Sequence, residues 1–346
     1  MNTNQTRIDD NKFYFQWHIT EKCNLRCLHC YQESYSGKDL EWTELERVAN
    51  IIILALKKWK KFGRIALTGG EPFLSKNLFR LLRLFDKSEH ISYLAILSNG
   101  TVINQSDINW LKKISKLRQI QISLDGATPE THDSIRGKNV FKKAVETIRL
   151  LRGNKLEITL MFTLHRRNME EIPQLIELAI KEEVNALTVE RVTPCTNRNE
   201  MKDLILSSQE LKEIYHYVTR RAGDMDVKES GLAIRRRRPL WINTVNGEFS
   251  SDKTGGFCPV GLTSLAILHD GTVLPCRRLN IPLGNILEDG LFKIWYTSDV
   301  LWRIRDKNNL KGKCKGCKYV PFCGGCRAVA YELTGDYMEE DPQCWR

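Results

Sequence analysis

Three cysteines, Cys23, Cys27 and Cys30, share the stretch EKCNLRCLHCYQ (21–32). Three thiols in one loop suit neither a disulfide, which needs pairs, nor a closed zinc site, which needs four ligands. They can hold three corners of a cubane iron–sulfur cluster and leave the fourth iron open, the open-site logic of catalytic metals. A zinc site completed by His18 or His29 is the competing chemistry. A second group, Cys258, Cys276, Cys314, Cys317, Cys323, Cys326 and Cys344, lies near the other end of the chain. Taken alone, its CxxC pairs would also suit a zinc ribbon or knuckle. Cys195 stands apart, and with His165 and His216 it makes no recognisable hydrolytic triad.

Something must carry these loops. Six short β-rich runs, at 13–20, 64–70, 93–100, 119–126, 156–164 and 186–192, alternate with longer amphipathic stretches. That rhythm predicts right-handed βαβ units and a parallel sheet, an α/β fold that is open or barrel-like. Several runs end in polar or glycine-rich residues: Thr68 to Glu71, Ser98 to Gly100, Ser123 to Gly126 and Thr193 to Cys195. Parallel α/β folds place their sites at the carboxyl ends of strands, although glycine and asparagine also serve plain turns. The reading divides the chain into a polar tail (1–12), an α/β domain (13–221), an irregular basic bridge (222–256) and a cysteine-rich domain (257–346). Within the last, a hairpin should turn at Asp270-Gly271, and one helix should span 289–306.

The spacing Cys23-x3-Cys27-x2-Cys30, with the His29 ring before its last cysteine, resembles the signature of radical S-adenosylmethionine (SAM) enzymes. The resemblance implies a partial (β/α)6 TIM-like barrel whose cysteine loop follows the first strand. It also implies a [4Fe-4S] cluster whose open iron binds the amino and carboxylate groups of SAM. One electron then cleaves SAM to methionine and a 5′-deoxyadenosyl radical. LTGGEP (67–72) resembles the family's GGE motif, in which backbone at Gly69 and Gly70 and the Glu71 carboxylate meet the methionine amino group. By the same resemblance Asn99 and Ser123 would serve the SAM ribose and carboxylate, Arg136 the carboxylate, and Met161 and Thr163 the adenine. Asp125 would face the substrate.

The later cysteines resemble the SPASM extension, which holds two auxiliary four-iron clusters. Its arrangement assigns Cys258, Cys276 and Cys326 to an inner cluster and Cys314, Cys317, Cys323 and Cys344 to an outer one, making three clusters in all. CGGC (323–326) is one residue shorter between cysteines than many SPASM proteins, and the inner cluster lacks a fourth cysteine. An open iron or a non-cysteine ligand would complete it. Cys195 has three readings: an idle thiol, that fourth ligand, or a hydrogen-atom donor to a substrate radical.

FYFQWHITEKCNLRCLHCYQ and CGGCRAVAYELTGDY look most like small SPASM maturases of ribosomal peptides. The implied partners are a precursor peptide, a flavodoxin or ferredoxin, and a separate small leader-recognition protein, since no long N-terminal extension is seen. The splicease group, which excises tyramine, is the finer expectation. Tetrapyrrole-modifying radical SAM enzymes share a CGGCRA ending and are the alternative; an activating enzyme that leaves a glycyl radical on a protein is a third.

Composition narrows the field. Eleven cysteines in a chain without an N-terminal apolar signal segment suit a cytoplasmic protein using thiols for metal or redox chemistry. No apolar run approaches the roughly 18 residues of a membrane span. The net charge of +11 admits a zinc-stabilised nucleic-acid binder. The basic residues are dispersed, however, with one cluster at Arg235 to Arg238 where an acidic peptide could dock, and a solvated basic surface with no nucleic-acid partner is the preferred reading.

Overall fold

The computed structural model describes residues 11–32, 34–194, 199–236, 238–244, 258–320 and 322–346; Cys195 lies outside them. Six strands follow one another in parallel: β1 (Lys12–His18), β2 (Phe62–Thr68), β3 (Ile91–Ser98), β4 (Leu117–Ser123), β5 (Ile158–Leu164) and β6 (Ala186–Arg191). Between them run α1 (Trp42–Trp59), α2 (Leu78–Lys87), α3 (Gln105–Leu111), α4 (Pro129–Arg136), α5 (Val140–Gly153) and α6 (Ile172–Lys181). This is the expected partial-barrel α/β fold.

Period-two patterning makes β1 two-faced. Phe13, Phe15 and Trp17 are buried in the core, while Tyr14, Gln16 and His18 line a cavity inside the barrel. Helix α1 buries Leu45, Val48, Ala49, Ile52, Ala55 and Leu56, one face at helical spacing. A capping box between Glu41 and Glu44 starts it.

The sheet does not stop at six. β7 (Ala233–Arg235) adds in parallel to β6, and β8 (Ser264–Ile267) adds in parallel to β1. β9 (Thr272–Leu274) and β10 (Gly284–Asn285) continue antiparallel, giving the order β10-β9-β8-β1-β2-β3-β4-β5-β6-β7. The hairpin expected at Asp270-Gly271 joins β8 to β9.

Several expectations are corrected. Strands β1 to β4 end two or three residues before the runs read from sequence, because the Gly, Asn and Asp residues there leave the ladder to form the barrel mouth. The segment read as an irregular bridge follows α7 (Ser208–Arg221) with α8 (Met225–Glu229) and β7, whose three residues are too few to show alternation. The helix expected over 289–306 is two, α9 (Leu291–Thr297) and α10 (Asp299–Arg305). Ser298 interrupts it, its hydroxyl accepting the Leu301 N–H as an N-cap. In the basic cluster, Arg235 donates to Gln119 and Arg238 to Glu190, while Arg237 lies outside the described residues.

Short helices α11 (Gly312–Lys315) and α12 (Arg327–Thr334) carry the last cysteines. This region is bolted to the barrel. Arg191, at the end of β6, forks onto Asp341, with Nη1 to Oδ1 at 2.9 Å, and also donates to Gln343 at 2.7 Å. Among the described residues, no helix is long and apolar enough to cross a membrane.

Candidate functional site

The cysteine loop leaves β1 and is pinned by its neighbours. Gly70 N–H donates to Thr20 O at 2.8 Å, and Glu71 N–H to Lys22 O at 2.7 Å. Asp39 takes the Thr20 hydroxyl and the Glu21 N–H. A Cβ on Gly70 would lie 2.3 Å from Lys22 O, so only glycine lets these two backbones meet. Gly70→Ala is therefore expected to cost about 1–3 kcal/mol in urea unfolding. Because the displaced backbone is that of the cysteine loop, iron content should fall with it.

Each sulfur in the loop accepts hydrogen bonds. Leu25 N–H and Asn99 Nδ2 donate to Cys23, Arg136 Nη1 approaches Cys27 at 3.7 Å, and Gln32 N–H donates to Cys30. Burial pushes the Cys27 thiol up to about 11, against the pull of Arg136. Unaided it stays protonated near neutral pH, whereas metal coordination removes the proton outright. Donors aimed at sulfurs that need iron to ionise fit an iron–sulfur cluster. Among the described residues no three His, Cys, Asp or Glu side chains are placed to share a single metal ion.

Asp125, expected at the substrate, is enclosed by protein. It is fully buried just beyond β4, with Oδ2 2.6 Å from Arg136 Nε and 3.0 Å from His29 Nε2. Its Oδ1 accepts the Thr163 N–H at 2.8 Å. Burial alone would raise this carboxyl, but Arg136 and His29 outweigh it and hold it well below the usual carboxylate range. Asp125 thus gathers three sequence-read residues, Arg136, His29 and Thr163, around one carboxylate.

Glu71 is also turned into the protein. Its oxygens accept from the Ser98 hydroxyl and the Asn99 N–H, both at 2.8 Å, and from the Phe73 N–H at 3.2 Å. Burial outweighs these bonds and pushes it up to about 7. The Glu71 carboxylate therefore fixes the end of β3, which holds the Asn99 side chain against Cys23 and Asn24. Gly69 packs against the Thr20 backbone. Ser123 ends β4 in register with Met161.

Met161 and Thr163 line the barrel cavity of about 230 Å³, together with Tyr14, Gln16, His18 and Gln121. Its wall toward the C-terminal region carries Glu190, Arg238, Arg278 and Cys276. Glu190 is buried, with one oxygen 3.1 Å from Arg238 Nε and the other 2.9 Å from Arg278 Nη2.

The C-terminal cysteines sort into the two expected groups. Cys258, Cys276 and Cys326 line one narrow void; Cys314, Cys317, Cys323 and Cys344 line another, of about 550 Å³. Gly325 N–H donates to Cys323, and Asn243 Nδ2 lies 3.7 Å from Cys344. Arg327, which is 5% exposed and lines the inner void, has Nε and Nη2 buried without a partner. Its Nη1 donates to Tyr337 O and Glu339 O, and an anionic cluster would supply a partner for the other two nitrogens. The residues fit the groups.

Glu190, Arg278, Arg327 and the Arg191–Asp341 pair were not singled out from sequence. A signal existed for two of them. Glu190 and Arg191 are adjacent charges in the otherwise buried run ALTVERV, and buried charges require partners. Nothing local pointed to Arg278 or Arg327, whose neighbours come from distant parts of the chain.

Comparison with known proteins agrees with this layout. Residues 17–179 match the radical SAM superfamily, and residues 258–318 match SPASM, an iron–sulfur cluster-binding domain. The AdoMet-dependent heme synthase of Methanosarcina barkeri is 31% identical over 337 residues, covering 95% of this chain and 95% of that protein. The PqqA peptide cyclase of Rhizobium meliloti is 28% identical, covering 95% of this chain and 85% of its own. In fold, Streptococcus suis SuiB bound to S-adenosylmethionine superimposes with a TM-score of 0.77 at 18% identity, covering 97% of this chain and 78% of that one.

Proposed function

The chain is a radical SAM enzyme with a SPASM iron–sulfur cluster-binding domain, and on that premise we propose that it modifies a ribosomally made precursor peptide. When bound, the cluster and SAM supply one electron and a 5′-deoxyadenosyl radical, which takes a hydrogen atom from the peptide. The outcome is oxidation, crosslinking or backbone rearrangement, with tyramine excision as the finest form of the proposal. The observation that carries the peptide reading is the similarity to a PqqA peptide cyclase along 95% of this chain.

In this proposal Cys23, Cys27 and Cys30 hold the cluster that meets SAM. Backbone at Gly69 and Gly70, with Asn99, Ser123 and His29, forms the SAM cradle, and Met161 and Thr163 form the adenine wall. Arg136 offers the SAM carboxylate the guanidinium nitrogens that Asp125 does not take. Asp125 and Glu71 are positioning residues, acting through Arg136 and Asn99. The seven C-terminal cysteines would hold two auxiliary clusters, which would supply an acceptor for one electron from the substrate radical. A flavodoxin or ferredoxin supplies the starting electron in the cytoplasm, and a small partner presents the leader.

One observation favours a second reading, on a carboxylated tetrapyrrole: the 31% identity to a heme synthase along 95% of both chains. Deuterium transfer separates the two. Under anaerobic turnover with SAM and dithionite, deuterium should pass into 5′-deoxyadenosine from a labelled precursor peptide. Transfer from a labelled tetrapyrrole and not from the peptide would establish the second reading instead.

A further inference from the structure

The amino ends of the barrel strands, opposite the cysteine loop, gather charge that the proposed reaction does not use. Lys12 opens β1, Arg64 lies early in β2 and Arg118 early in β4, while Arg235 lies on β7, which pairs with the first half of β6. All four line one cavity of about 550 Å³. A single carboxylate, that of Glu157, lines it with them. Among the described residues this floor cavity and the barrel cavity have no lining residue in common.

The inner side chains are held in place. The Arg64 guanidinium lies over the Tyr93 ring, 4.4 Å from its centroid. The Tyr93 hydroxyl donates to Gln119 Oε1 at 2.6 Å, and Arg235 Nη1 donates to the same oxygen at 2.9 Å. One amide oxygen thus fixes both Arg235 and the ring that carries Arg64. Arg64 Nε is buried without a hydrogen-bond partner. Arg118 and Lys12 are exposed, so the cavity opens to solvent on their side. Like charges gathered in a cavity repel, and a buried donor without an acceptor costs free energy. An anion with several acceptor oxygens relieves both. Guanidinium forks match phosphate oxygens, and four basic side chains against one carboxylate call for more negative charge than a single carboxylate brings.

We propose that this cavity binds the diphosphate group of a small molecule, held by Arg64, Arg118, Arg235 and Lys12. The site is separate from the SAM cradle and stands whether or not the peptide reading does. No bond is made or broken in the ligand. Bound there, a diphosphate ties β1, β2, β4 and β7 together from the floor of the barrel.

The test is isothermal titration calorimetry on the full chain, with its clusters reconstituted anaerobically and SAM saturating, at about 0.15 M salt. Inorganic pyrophosphate should bind saturably, with a stoichiometry of about one per chain on the single cavity proposed. R118Q, at the exposed rim, and R64M should each weaken binding at least about tenfold, the loss of a charge-assisted hydrogen bond. K142Q removes the same charge from a side chain that is 81% exposed on α5 and should leave the affinity unchanged. Uridine diphosphate binding more tightly than pyrophosphate would place the group on a nucleotide, and equal affinity would assign recognition to the diphosphate alone. Absence of binding would overturn the proposal. So would heat that is the same in R118Q and R64M as in the unsubstituted chain, as chelation of cluster iron would give. Equal weakening by K142Q would reduce the effect to diffuse attraction by a basic protein and sink the site. Binding that appears only after D9N and D10N would give the cavity to the chain's own acidic pair and equally refute the proposal.

Discussion

Cys27→Ala is expected to reduce the formation of methionine and 5′-deoxyadenosine from SAM to the background of protein without clusters. Cys27 is one of three thiols in the N-terminal loop, and its sulfur faces Arg136 Nη1 at 3.7 Å. Alanine would remove a proposed iron ligand and take the sulfur away from Arg136 Nη1, while Arg136 Nε keeps its bond to Asp125. Roughly four of twelve irons should be lost, with the rest retained in the C-terminal region. Cys317→Ala should behave in the opposite way. It lies on the wall of the outer void and does not line the barrel cavity. SAM cleavage should persist, uncoupled, while modified product disappears. Chromatography of both products under anaerobic conditions checks the pair, and full product formation by either variant would contradict the assignments.

The second large effect should come from Asp125→Ala. Asp125 has no exposed surface, and Arg136 beside it is 8% exposed. Breaking a buried ion pair by removing one partner typically costs about 3–5 kcal/mol, because the other charge stays behind without compensation. Here the loss extends to His29 and to the Thr163 N–H, which donate to the same carboxylate. Urea unfolding should show the destabilisation, and the affinity for SAM should fall with it. Asp125→Asn keeps the shape and one acceptor oxygen and should retain more of the fold than of SAM binding. Wild-type behaviour of Asp125→Asn in both readouts would mean that the charge on Asp125 does not matter.

How much of this could be read from the chain depends on how locally each feature is encoded. The spacing of Cys23, Cys27 and Cys30 is local, so the loop and its chemistry were legible before any coordinates. The order of six strand-like runs likewise carried the barrel. Strand ends were misjudged because residues such as Gly69, Gly70, Asn99 and Gly100 continue the polypeptide direction while leaving the ladder. Ser298-Asp299 was a legible N-cap signature inside a long apolar pattern, and the pattern overrode it. Asp125 was read as a loose carboxylate at a strand end because its three partners come from positions 29, 136 and 163. Glu190 meets Arg238 and Arg278 in the same manner. Long-range ion pairs of this kind leave little trace in a single sequence.

The place of β1 in the sheet also bears on how the chain reaches its native state. Tyr14 to Trp17 pair with β2 on one side and with Ser264 to Ile267 on the other. The second pairing closes over a loop of most of the chain, and contacts so distant in sequence slow folding. Until β8 arrives, the nascent barrel presents a hydrophobic strand edge with unpaired backbone groups, a template for adhesion to other chains. During synthesis the first strand must therefore wait for nearly the last domain, and chaperone shielding would matter most in that interval.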